Sequence, residues 1–85
     1  MKKIKMFMFD SCPYCQKALK YLKELQTQEK YKYLEVEMIN ERKQPEIAEK
    51  YDYYYVPTFY VDEEKIHEGS AEIEDVQRVL NLALS

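Results

Sequence analysis

The stretch Lys3-Ile4-Lys5-Met6-Phe7-Met8-Phe9-Asp10-Ser11-Cys12-Pro13-Tyr14-Cys15 decides the fold. Its first half, residues 3–9, is apolar on both faces, the pattern of a strand at a sheet centre. Its second half ends in the only two cysteines of the chain, three residues apart. Beyond them Ala18, Leu19, Leu22 and Leu25 recur as one apolar stripe, so residues 13 to about 27 read as a helix. Pro13 falls in the first turn, where a missing N–H costs nothing. A buried strand, a short junction and a helix, with two thiols at the junction, make an α/β unit with chemistry at one end.

Cys12 falls at the helix N-terminus. Unpaired backbone amides and the positive end of the helix dipole favour a thiolate there, and the thiolate is the nucleophilic form. Cys15 lies one turn on, on the same face and within disulfide reach. It is expected to be the less exposed thiol and to resolve. Pro13 and Tyr14 fill the gap, hold the turn and expose a ring beside the sulfur. The expected chemistry is attack by Cys12 on a substrate disulfide, then attack by Cys15 on the Cys12 sulfur. A loop this short constrains little of the unfolded chain, so a structural staple is a poor account of the pair.

Outward from this unit, residues 31–38 alternate at period two, with Leu34, Val36 and Met38 on one face, and predict a second strand. A second helix is expected from Asn40 or Glu41 to about Tyr51, with Ile47 and Ala48 inward and Pro45 limiting its first turn. Residues 57–61 read as a third strand, 62–64 as a polar turn and 65–68 as a short fourth strand. The last helix is expected from an N-cap at Ser70, with a stripe of Ile73, Val76, Leu80 and Ala83. The order is β-α-β-α-β-β-α. The first two strands should run parallel through a right-handed crossover, and the last two should form an antiparallel hairpin.

Eighty-five residues without repeat or linker predict a single domain, residues 1–85. The net charge of -3 with mixed signs argues against a nucleic-acid partner. No segment approaches a membrane span, and the N-terminal apolar run is too short for a secretion signal. A cytoplasmic monomer is expected. In a reducing compartment a close cysteine pair is catalytic or metal-binding rather than structural. Zinc would need four ligands, and the chain offers two cysteines and the single His67. A metal-bridged or iron–sulfur scaffold dimer built on Cys12 is the rival from another class.

Cys12-Pro13-Tyr14-Cys15 resembles the active site of the dithiol glutaredoxins, within the thioredoxin-like superfamily; Ala18 also fits, and the likeness covers essentially the whole chain. The resemblance implies a thioredoxin-like α/β fold with a four-stranded mixed sheet flanked by three helices. It implies a thiol–disulfide oxidoreductase acting on protein or glutathione mixed disulfides, with no bound cofactor and glutathione as co-substrate. It also implies that Pro57, after Val56, is cis and faces the nucleophile, where the Val56 backbone could pair with an extended substrate. The pattern departs from the family at Phe9, where a Lys or Arg is common. It departs again at the acidic Asp10, at Tyr55 in place of Thr, and in a region holding the single Gly69. Thr58-Phe59 looks more like thioredoxin. These departures predict weaker glutathione binding and leave a carrier reset by a flavoprotein reductase as the runner-up. Free amides near Ser70 could still hold a carboxylate.

Tyr53-Tyr54-Tyr55 lead into Val56-Pro57. They read as loop and core packing or, best at Tyr55, as an aromatic wall for a protein substrate. His67 reads as an exposed residue of a short strand. Gly69 is expected to take a backbone conformation closed to other residues.

Overall fold

Ile4–Met8 (β1) is the central strand of the sheet in the computed structural model, which describes residues 1–85. Six further elements follow: α1 Pro13–Leu25, β2 Val36–Asn40, α2 Pro45–Ala48, β3 Thr58–Val61, β4 Glu64–Glu68 and α3 Ile73–Leu84. The sheet order is β2-β1-β3-β4. β1 pairs parallel with β2, Ile4 opposite Val36, and antiparallel with β3, Ile4 opposite Val61. β3 and β4 form the antiparallel hairpin. Element order, strand directions and the central place of β1 match the sequence reading. No helix is long and apolar enough to cross a membrane.

The two faces of β1 explain its unbroken apolar pattern. Ile4, Met6 and Met8 join Ala18, Leu22 and Leu25 of α1 and Val76, Val79, Leu80 and Ala83 of α3 in the main core. Phe7 points the other way, into a second cluster with Ile39 and Tyr60 that Ile47, Ala48, Tyr51 and Tyr53 cover. Each fully buried leucine or valine contributes about 1.5–3 kcal/mol, so α1 and α3 are held chiefly by these stripes. The radius of gyration, 11.9 Å, is that of one closely packed unit.

Several boundaries differ from the expectation, among them the end of the second helix, which stops at Ala48 rather than about Tyr51. Residues 31–34 form a turn, not the start of β2, which begins at Val36 and runs to Asn40. The period-two pattern misleads because Tyr31 and Leu34 are buried from a turn. The Gln26 side chain bonds the carbonyls of Tyr31 and Leu34 at 3.3 and 2.7 Å, and the Tyr31 hydroxyl donates to Asn81 Oδ1 at 2.6 Å. Met38 is 40% exposed, because β2 is an edge strand, and Ile39 is the buried residue there. The second helix starts at Pro45. Asn40 instead makes a turn whose side chain accepts the amides of Arg42 and Lys43 at 3.0 and 3.3 Å. Gln44, directly before proline, is kept out of the helical region.

β4 begins at Glu64 rather than Lys65, because Asp62 and Glu63, at φ 46° and 70°, close the hairpin in two residues. The Glu63 carboxylate bonds Lys5 Nζ at 3.0 Å and the Tyr51 hydroxyl at 3.1 Å. The N-cap of α3 is Glu72, not Ser70. Glu72 and Asp75 each accept the other's backbone N–H in a capping box. The chain reaches that cap through Gly69 at φ 92°.

Candidate active site

β1 ends one residue before Phe9, and a three-residue loop delivers Cys12 to the start of α1. Cys12 caps the helix: its Sγ accepts the Cys15 N–H at 3.2 Å, and Pro13 takes the first helical position. Both cysteines are free thiols. Cys12 is 3% exposed and Cys15 fully buried, the expected ranking with a narrow margin. Burial, then the hydrogen bond to the Cys12 sulfur, pushes the Cys15 thiol up to about 12; the Phe9 amide opposes this and the Glu41 charge adds to it. Cys15 is therefore a reserve thiol, held protonated until the chemistry calls for it.

The segment before β3 borders the same core. The Val56–Pro57 bond is cis. Val56 packs against the core cluster that contains Cys12 and Cys15. Pro57 is buried and its carbonyl accepts the Gly69 N–H at 2.8 Å. Tyr14, Tyr54 and Tyr55 are 57%, 85% and 69% exposed. Tyr53 behaves differently. Its ring stacks on Phe7 at 4.9 Å, and its hydroxyl donates to Glu41 Oε1 at 2.6 Å. Burial and the Glu41 carboxylate raise its pKa well above the usual phenol value.

The charges around the motif differ from what the linear sequence suggests. Asp10 is paired with Lys43 Nζ at 3.4 Å. Phe9 carries no charge itself, yet the Arg42 guanidinium lies over its ring at 3.9 Å. Lys17 is paired with Glu72 at 3.0 Å. Ser70 is exposed, and its carbonyl meets His67 Nε2 at 3.0 Å. The first turn of α3 carries Glu72, Glu74 and Asp75, so an incoming carboxylate would meet like charge at that helix end.

Arg42 and Glu68 escaped the sequence reading. The only trace of Arg42 was the basic pair Arg42-Lys43 after Asn40, and nothing marked Glu68 among the strand's other charges. No three His, Cys, Asp or Glu side chains come close enough to share a metal ion. A groove of about 910 Å³, lined by Met1, Lys2, Ile4, Tyr33, Leu34 and Val36 among others, lies at the N-terminal end of β1. Neither cysteine lines it, so chemistry rather than concavity locates the site.

The family model described as "Thioredoxin domain" matches residues 2–81. The chain belongs to the thioredoxin domain family. A solved structure titled "Structure of a malarial protein" is similar to this thioredoxin domain with a TM-score of 0.76. The match covers 100% of this chain and 99% of that one at 16% identity, a likeness of fold alone. No curated protein matches the sequence. With its Cys12–Cys15 pair, the thioredoxin domain has the equipment of a redox protein.

Proposed function

We propose that this thioredoxin domain is a thiol–disulfide oxidoreductase in which Cys12 attacks and Cys15 resolves. The observation that carries the reading is the Cys12 sulfur at the α1 N-terminus, bonded to the Cys15 amide, with the Cys15 thiol buried behind it. The Cys12 thiolate attacks one sulfur of a substrate disulfide. A Cys12–substrate S–S bond forms, the substrate S–S bond breaks, and the leaving thiolate takes a proton. Cys15 then loses its proton and attacks Cys12 Sγ, expelling the second substrate thiol. The substrate gains two electrons and two protons, and the protein keeps a Cys12–Cys15 disulfide for an outside thiol to reduce.

Tyr14, Tyr55, Val56 and Pro57 form the substrate wall of this reading, and Pro13 holds the turn between the thiols. Ser70 contributes its backbone N–H, which donates to no group of the chain. Glutathione is the proposed resetting thiol, because Arg42 offers an unpaired guanidinium beside the motif and Lys43 neutralises Asp10. A flavoprotein reductase is the second reading, favoured by the acids around the α3 N-terminus. Disulfide-containing proteins in the cytoplasm are the proposed partners.

The test is a disulfide-reduction assay on the wild type, Cys12→Ser and Cys15→Ser, reset by glutathione or by a thioredoxin-type reductase. Loss of activity in Cys12→Ser and trapped mixed disulfides in Cys15→Ser are expected. Equal activity of Cys12→Ser and the wild type would refute the reading.

A further inference from the structure

Glu68, the last residue of β4, reaches across to the chain just before β3. Its Oε2 accepts the backbone N–H of Tyr54 and, at 3.0 Å, that of Tyr55, while its Oε1 accepts Lys65 Nζ at 2.8 Å. One carboxylate thus occupies two successive main-chain donors. The next residue, Val56, is left with an N–H and a C=O that no group of the chain pairs. Beyond it, Pro57 has no N–H, and its carbonyl is taken by Gly69. The Tyr55 carbonyl accepts the Thr58 hydroxyl. From Tyr55 to Pro57 the main chain therefore keeps one residue open, and that residue packs against the cluster holding both cysteines.

We infer that Glu68 is a positioning residue that confines the docking of an extended, disulfide-bearing polypeptide to the backbone of Val56. The inference rests on the redox reading above and adds a positioning residue to that site. An extended segment pairs with a strand through reciprocal N–H and C=O bonds, and a slip in register moves its side chains to the wrong face. With the Tyr54 and Tyr55 amides engaged, a polypeptide has one residue to pair with, so its cysteine arrives in one register beside Cys12. A small disulfide without a peptide backbone makes no use of this device. The ion pair with Lys65 and the two amides hold the Glu68 pKa at about 2, so the latch is charged at every physiological pH.

The experiment compares the wild type, Glu68→Ala and Glu68→Gln on cystine-bridged insulin and on bis(hydroxyethyl) disulfide. Glu68→Ala is expected to raise KM for insulin about ten-fold more than KM for the small disulfide, with little effect on kcat. Glu68→Gln, whose amide oxygen still accepts N–H groups, should recover most of the loss. Equal KM for insulin in the wild type and Glu68→Ala overturns the inference, and so does an equal loss on both substrates.

A second measurement needs no substitution at Glu68. Amide hydrogen exchange should show Tyr54 and Tyr55 protected and Val56 open, with Val56 becoming protected once a cysteine peptide is trapped on Cys15→Ser. A Val56 amide that stays open in that adduct overturns the inference as well. A wild type that reduces neither disulfide brings down the redox reading itself, a result distinct from any of the Glu68 outcomes.

Discussion

The Arg42 guanidinium lies over the Phe9 ring, 3.9 Å from its centre, and so places a cation next to the thiol motif from a distant part of the chain. No carboxylate of the protein pairs with it, so it is available to an anionic substrate. Replacing Arg42 by Ala should raise KM for a glutathione mixed disulfide about five-fold more than KM for a neutral disulfide, as loss of an exposed ion pair of about 1 kcal/mol would do. Steady-state kinetics on the two substrates checks this, and an equal effect on both would count against a role in anion recognition.

Cys15, held at about 12 chiefly by burial, sets the pH dependence of resolution. Only the thiolate attacks, and below its pKa the thiolate fraction rises about tenfold per pH unit. Mixed disulfides on Cys12 should therefore decay faster as pH rises from about 6 to about 9. Glu41→Gln removes a negative charge that raises the Cys15 pKa, so the profile should move to lower pH. Stopped-flow decay of a mixed disulfide formed on Cys12 with Cys15 intact measures both; a flat profile, or a Glu41→Gln shift to higher pH, contradicts the account.

Glu68 has a lowered folded-state pKa, about 2, well below the ordinary carboxylate range. A group of this sign stabilises the fold fully above its unfolded value and loses that contribution as pH falls towards the folded value. The gap in Tm between the wild type and Glu68→Gln should thus be constant above about pH 5 and shrink below about pH 4.5. A gap independent of pH across that window would show that the charge contributes nothing.

Tyr31 is fully buried, and its hydroxyl donates to Asn81 Oδ1 and accepts from Gln77 Nε2 at 3.2 Å. Tyr31→Phe leaves both α3 side chains without this partner and should cost about 1–2 kcal/mol. Tyr31→Ala also opens a cavity and should cost about 3–5 kcal/mol. Urea unfolding checks both values. A neutral Tyr31→Phe would mean that water replaces the hydroxyl at no cost.

The strand–junction–helix unit was legible because Ile4–Met8 and the α1 stripe obey simple periods, and Cys12, Cys15, Val56 and Pro57 lie within it or at a recognisable landmark. Residues 31–34 were misread because a turn buries Leu34 at a spacing that, with Val36 and Met38, imitates alternation. Ser70 looked like a cap by composition, but Glu72 and Asp75 satisfy each other's amides two residues later. Arg42 and Glu68 were invisible because their importance lies in what they reach: Phe9 across the β2–α2 turn, and the Tyr54 and Tyr55 amides across the β4 end. A sequence shows which residues can carry charge, but only the fold shows which backbone or ring receives it.

The hairpin tip carries a consequence for anyone who would stabilise this protein. Glu63 sits at φ 70°, where glycine would relieve about 1 kcal/mol of backbone strain. Glycine would also cut the tie from Glu63 to Lys5 on β1 and to Tyr51 above Phe7. The tip acts as a fastener joining the central strand to the aromatic layer, and a turn remodelled for backbone comfort alone would leave that layer unpinned.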